Sequence, residues 1–459
     1  MFTRRRSSWK RKNKRRPWLP IVLFLIGVPV GLELLVRLAV YMTGASEQFT
    51  ADASEQSEVL QAYQLGFLSP EGQPYEALPN QGNLQAVRSP LVGYQLLPSQ
   101  SNEFWSINAQ GFRDEEPVAL EKAQGEVRIF VLGGSAAFGQ LNSSNQATFA
   151  SQLEKLLNDR VADQRSNSSR YQPATLPYRA DQVAEALALP PRIPDRQYQV
   201  INAAVPGYAS GNELAFLVQD ISRYNPDILV LLDSYQDLLL PSTHVGTDIP
   251  GLDALIMGER EHPVTQAAQS VEEWLSQLYL VRAVDRYLLQ SQSPESETAI
   301  FLNLMTPSQE QPLEQSLAST EEELNQRVSR YRENLLQMVR WSSATRNRLF
   351  VGLQPEITGR STDVMTTEEA AILAKLGDGY AEQMQAGYAK LAEAAQQATA
   401  TSANAELLNL YDLYATYEGQ AFQTSTNLTD EANLVLASRF FEAVVSELAI
   451  EPRPFGSTE

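Results

Sequence analysis

The chain of 459 residues contains no cysteine. Disulfide scaffolds, thiol nucleophiles and thiolate metal sites are therefore excluded. It has only two histidines, His244 and His262, too few for the usual zinc sets, and neither a metal nor another cofactor is expected. Positive charge is scarce outside one end. Residues 1–44 hold ten basic side chains and a single acid, Glu33, leaving 26 basic and 54 acidic side chains after Gly44. A body so acidic argues against nucleic acid as a partner.

Long apolar runs are also scarce, with one exception. Residues 1–17 form a basic tail, and residues 18–42 follow as an apolar stretch whose part Trp18–Leu32 is uncharged. About 20 apolar residues suffice to cross a bilayer as a helix. The basic tail before it and the acidic body after it predict a single-pass anchor, with the N-terminus cytoplasmic and the body on the periplasmic side. Glu33 and Arg37, spaced i,i+4, read as an ion pair near the outer interface. The alternative is a cleaved signal peptide ending near Thr43–Ala45; the length of the apolar stretch favours an uncleaved anchor.

Residues 43–86 are polar and read as a stalk, and residues 87–125 as a segment packing on the domain. The domain itself is expected over 126–450, with 451–459 as a C-terminal tail. Five apolar runs predict buried strands: Val127–Leu132, Tyr198–Ala203, Asp227–Leu232, Arg348–Leu353 and Glu406–Tyr411. Helical spacing appears over Gln146–Arg160, at Leu214, Leu217, Val218 and Ile221, and over Ser270–Gln290, Ser319–Thr345 and Thr366–Ala398. Ser319 with Glu322 has the spacing of a capping box. Thr429 is expected to cap a last helix that buries Ala437, Phe440, Phe441, Val444 and Leu448. Asn158–Gln197, rich in polar residues and then proline, reads as a surface insertion. Strands alternating with helices predict an α/β fold with a parallel sheet of about five strands, covered on both faces.

The stretch Val127–Gly139 (VRIFVLGGSAAFG) organises the rest. A strand, a glycine turn, a serine and a helix place Ser135 at the carboxyl end of a parallel strand, where open α/β sheets carry their sites. Two further turns, Asn202–Gly211 and Asp233–Asp237, are expected on the same edge.

Five blocks in order give a resemblance. They are Asn108–Arg113 (NAQGFR), Val131–Gly139, Val200–Ser210 (VINAAVPGYAS), Pro226–Leu238 (PDILVLLDSYQDL) and Tyr417–Asn433 (YEGQAFQTSTNLTDEAN). The chain resembles the SGNH/GDSL hydrolase superfamily, and within it the membrane-anchored bacterial branch. The resemblance implies a flavodoxin-like sheet and acyl-ester hydrolysis or transfer. There the serine attacks a carbonyl, a histidine takes its proton, and an aspartate three residues earlier orients that histidine. Carried over, the nucleophile position is Ser135. The oxyanion donors are the backbone of Ser135 and Gly207, with Gln236 where the family has asparagine. Gln236 keeps the amide but adds a methylene, and Asp237 follows it. The last block departs: Thr424 stands for the aspartate and Asn427 for the histidine, and neither takes up a proton near neutral pH.

The acids nearest that block, Asp430 and Glu431, fall in a first helical turn, where the helix dipole favours them. His262 reads as a surface residue; His244 is the candidate for a relocated base. The reading that follows is a catalytically degenerate hydrolase that binds an acylated polysaccharide or another envelope component. One alternative is an active esterase or acyltransferase using His244. Another is a structural envelope protein with a vestigial pocket. Protein partners are not specified by the sequence.

Overall fold

Burial of β-branched and aromatic runs on both faces is what makes the central strands of this chain parallel and internal. The structure is a computed structural model and describes residues 58–69, 72–73, 82–243, 313–377 and 379–456. These residues belong to one unit, Ser57–Gly258 with Pro294–Glu459. The expected membrane span, the helix over Ser270–Gln290, His244 and His262 lie outside the described residues. Among the described residues no helix is long and apolar enough to cross a membrane.

The chain enters through β1 (Leu65–Leu68), β2 (Leu84–Ser89), β3 (Gly93–Leu96) and the short pair β4 (Gln100–Ser101) and β5 (Ser106–Ile107). It continues through β6 (Glu126–Gly133), α1 (Ser135–Phe138), α2 (Phe149–Ser166), α3 (Ala180–Leu187), β7 (Gln197–Asn202) and α4 (Ser210–Gln219). There follow β8 (Ile228–Asp233), α5 (Tyr235–Leu239), α6 (Glu321–Thr345) and β9 (Arg348–Leu353). The last elements are α7 (Thr367–Leu376), α8 (Tyr380–Thr399), β10 (Ala405–Asn409) and α9 (Asp430–Glu447).

The main sheet has the order β10-β9-β8-β6-β7, and every pairing in it is parallel. This is the flavodoxin-like order, in which the chain leaves the first strand to one side and returns to the other. The reversal falls between β6 and β8. All five expected strands are present, within two residues of the expected bounds. Helices α2 and α9 pack together through the stacked rings of Phe149 and Phe440, 5.6 Å apart. Helices α4, α6 and α8 form a second group, and β8 is buried at all six positions.

Five expectations are corrected. Residues 58–69 and 82–86 do not stand off as a stalk. Tyr63, Phe67 and Leu84 are buried in the core, and β1 pairs with β2, which pairs with β3. Polar composition hid three apolar anchors. The insertion begins later than Asn158, because α2 runs to Ser166 and Gln164 bonds both backbone groups of Ile193. The segment 450–456 is likewise tied down, bridging Thr175 to Arg453 and Arg192 to Ile450. Helix α6 is capped by Thr320, whose side chain accepts from the Glu323 N–H, one residue beyond the expected Ser319–Glu322 pair. Val218 is 57% exposed; Leu217 and Ile221 of the expected face are buried, and Phe216 takes the place of Val218.

Candidate active site at the switch point

β6 ends in Gly133 at φ +154°, and Gly134 caps the short helix α1. An added Cβ at Gly133 would lie 2.2 Å from the Leu232 carbonyl oxygen and 2.4 Å from Ala137 Cβ. The turn therefore needs glycine for both backbone angle and space. Ser135 opens α1, and its Oγ is buried with no hydrogen-bond partner among the described residues. As the first helical residue, Ser135 has no intrahelical acceptor for its N–H.

Two blocks clamp the far end of α1. Asn202, which ends β7, donates its amide to the carbonyls of Ala137 and Phe138, each at 3.2 Å. Arg113, buried, donates to the carbonyls of Phe138 at 3.0 Å and Gly139 at 2.6 Å and to Asn145 Oδ1 at 2.9 Å. It also donates to the Tyr63 hydroxyl at 2.9 Å. These bonds satisfy the carbonyls that the end of a helix leaves open. The motif Asn108–Arg113 thus serves the serine turn from outside the sheet.

Gly207 sits at φ +84° in the turn after β7, closed by the Tyr208 N–H on the Val205 carbonyl at 3.2 Å. The Tyr94 hydroxyl holds this turn through the Pro206 carbonyl at 2.6 Å. The third and fourth blocks meet the second at Gly134. A Cβ there would lie 3.0 Å from the Tyr208 oxygen and 3.8 Å from Gln236 Cγ. Ser135, Gly207 and Gln236 are thereby gathered on the carboxyl edge at the switch point. The Gln236 side chain makes no hydrogen bond to a described residue. Asp237 points elsewhere: it accepts the Ser210 N–H at 2.9 Å and the Ser210 hydroxyl at 2.8 Å, anchoring α5 to the start of α4.

The last block reaches the same edge. Thr424 Oγ1 accepts the N–H of Asn427 at 3.0 Å. Asn427 Nδ2 contacts Gln140 Oε1 at 3.4 Å, and its Oδ1 is buried without a partner. Gln140 in turn donates its N–H to the Ser135 carbonyl at 3.0 Å, so one residue spans from Ser135 to Asn427. Asp430, in the first turn of α9, accepts Asn142 Nδ2 at 3.0 Å and so holds the loop after α1.

Sequence reasoning missed two groups of buried side chains. One is a trio of carboxyls, Glu213, Asp233 and Asp237, each pushed up by burial. Carboxyls this close and this dry hold fewer charges than members. The other joins Glu356, Tyr380, Tyr235 and Ser425. Tyr235 and Ser425 lay inside two of the recognised blocks, but nothing in their spacing marked them as partners. Among the described residues no group of three or more His, Asp or Glu side chains is arranged to hold a metal ion.

No protein-family model matches the chain. No curated protein matches it either. Among solved structures it is similar to a lipase/acylhydrolase from Enterococcus faecalis at 11% identity, TM-score 0.34, covering 71% of this chain and 98% of that one. It is similar to an acetylxylan esterase from Geobacillus stearothermophilus, solved as a catalytic mutant, at 10% identity and TM-score 0.32, covering 71% and 96%. A third likeness is to an acetyl xylan esterase at 9% identity and TM-score 0.32, covering 69% and 100%.

Proposed function

We propose that this chain is a membrane-anchored, extracytoplasmic SGNH/GDSL hydrolase-like protein that binds an acyl-ester ligand and has lost general-base catalysis. The observation that carries the reading is the pairing at Ser135. Its Oγ is buried with no partner among the described residues, while the residue across Gln140 from it, Asn427, is an amide. An amide orients a hydroxyl but does not accept its proton. The oxyanion side remains furnished: the open N–H of Ser135, the turn at Gly207 and the uncommitted amide of Gln236 suit a carbonyl or acetyl oxygen. The ligand class is an acylated glycan or envelope component.

The test is binding of an acetylated xylo-oligosaccharide to the full-length chain by calorimetry. Binding that weakens about tenfold on Gln236→Ala, with ester turnover at background, is the expected result. Absence of binding with a normally folded chain would remove the reading. Anchoring rests on the charge asymmetry around residues 18–42. Protease added outside intact spheroplasts is expected to digest the body and spare the basic tail; complete protection of the body would contradict it.

A further inference from the structure

Glu356 follows β9 and is fully buried. Its Oε2 accepts the Thr358 N–H at 2.8 Å and also the Thr358 hydroxyl. Its Oε1 accepts the Tyr380 hydroxyl at 3.0 Å. That hydroxyl lies 3.2 Å from the Tyr235 hydroxyl, which lies 3.0 Å from Ser425 Oγ. Tyr380, Tyr235 and Ser425 are all buried. An unbroken line of hydrogen bonds therefore runs from a carboxyl under the sheet edge into the loop Thr424–Asn427.

Each hydroxyl carries one proton and donates once. The line has two self-consistent senses. With Glu356 ionised, Tyr380 donates to the carboxylate, Tyr235 to Tyr380, and Ser425 to Tyr235. With Glu356 protonated and the Tyr411 hydroxyl donating to Thr358 Oγ1, Oε2 accepts from both the Thr358 N–H and the Thr358 hydroxyl, so its lone pairs are taken and the acid proton sits on Oε1 and points at Tyr380. Tyr380 then donates to Tyr235, Tyr235 donates to Ser425, and the Ser425 proton is released. A mixed sense would set two protons or two lone pairs against each other in a dry interior, which is costly.

We propose that Glu356 is a positioning residue for the Ser135 site. Acting through Tyr380 and Tyr235, its protonation reverses the whole line, so that Ser425 changes from donating into it to accepting from it and frees its own proton for a group beside Thr424–Asn427. Burial pushes the Glu356 carboxyl up to about 7, against the opposing pull of its Thr358 and Tyr380 bonds. The titratable groups that face it are tyrosines: Tyr380 and Tyr388 on α8, Tyr235 on α5, and Tyr411 beyond β10. Burial raises every one of them, Tyr411 to about 12. Near neutral pH, Glu356 is the member of this group that changes charge.

The consequence for ligands rests on the pocket reading above, but the reversal itself does not. The experiment is therefore run first without ligand, on the full-length chain carrying isotope-labelled serine and threonine, following the Thr358 and Ser425 amide resonances across neutral pH. Both are expected to shift with one midpoint. Glu356→Gln should abolish both shifts, because its carbonyl takes the Thr358 N–H and its amide donates to Tyr380, locking one sense. Tyr235→Phe should keep the Thr358 shift and lose that of Ser425. A Ser425 shift that survives Tyr235→Phe would overturn the proposal. The signal would then travel through the backbone bond from the Ile357 N–H to the Ser425 carbonyl, 2.9 Å long. A wild-type Ser425 that does not titrate would overturn it equally. In a second arm, acetylated xylo-oligosaccharide binding should depend on pH in the wild type and be flat in Glu356→Gln. If no oligosaccharide binds while Ser425 titrates as described, the reversal stands and the pocket reading falls.

Discussion

Thr424 Oγ1 accepts the backbone N–H of Asn427 at 3.0 Å, so the two residues that stand at the expected acid and base positions are engaged with each other. The threonine does the local work of holding the turn. The asparagine places its amide against Gln140, whose own N–H is bonded to Ser135.

Restoring chemistry should therefore be local. An aspartate at 424 can still accept the 427 N–H, and a histidine at 427 must displace the contact with Gln140. Thr424→Asp with Asn427→His is expected to raise p-nitrophenyl acetate hydrolysis over a near-background wild type. General-base assistance, worth about 10²–10⁴-fold, is the ceiling. Adding Ser135→Ala should return the rate to background. Rapid, Ser135-dependent turnover by the unmodified chain would sink this account.

The two glycines before Ser135 should respond differently to alanine. Gly133→Ala drives a Cβ into the Leu232 carbonyl at 2.2 Å, at a φ of +154° that alanine avoids. A loss of about 2 kcal/mol or more is expected in urea unfolding. At Gly134, φ is −89° and the nearest atom stands 3.0 Å away, so the cost to stability should be smaller. If Gly134→Ala proves the more destabilising, the turn has been misassigned.

What the sequence made legible follows from what the chain must bury. The central strands are apolar on both faces, so their runs stand out, and the glycine turn after the first one marks the edge where Ser135 lies. The meeting of Ser135, Gly207 and Gln236 follows from strand order, and strand order came from the resemblance rather than from periodicity. The entry segment was misread because Tyr63, Phe67 and Leu84 are three anchors diluted among polar residues. Glu356 was invisible for a different reason. A glutamate after a strand looks like a surface residue, and only its neighbours Thr358 and Tyr380, the latter 24 positions away, make it a buried one.

Arg113 tests whether the block outside the sheet supports the serine turn. It is buried and bonds two carbonyls of the α1 exit, Asn145 and Tyr63. Its planar fork reaches acceptors that a lysine ammonium cannot span together. Arg113→Lys is expected to cost at least about 3 kcal/mol in urea unfolding, since charged hydrogen bonds contribute about 1.5–3 kcal/mol each. A change below the error of the midpoint would show that the α1 exit holds without it.

The last prediction concerns stability against pH. Glu356 has its carboxyl raised from 4.5 to about 7 in the folded chain, because burial disfavours the charge. The folded state therefore holds this proton over a window in which the unfolded chain has released it. Stability from this group is full below the unfolded value, falls as pH rises through the window, and levels off above the folded value. A displacement of this size corresponds to about 3 kcal/mol, an upper figure for a fully buried group. Glu356→Gln cannot ionise, so its stability should run flatter across the same window. The measurement is the urea midpoint of wild type and variant at acid and neutral pH. The trio Glu213, Asp233 and Asp237 pushes in the same direction, and so contributes a slope common to both proteins. Only the difference between the two curves reports Glu356. Parallel curves would mean that Glu356 titrates alike in the folded and unfolded chain, and that its line to Ser425 does not reverse near neutral pH.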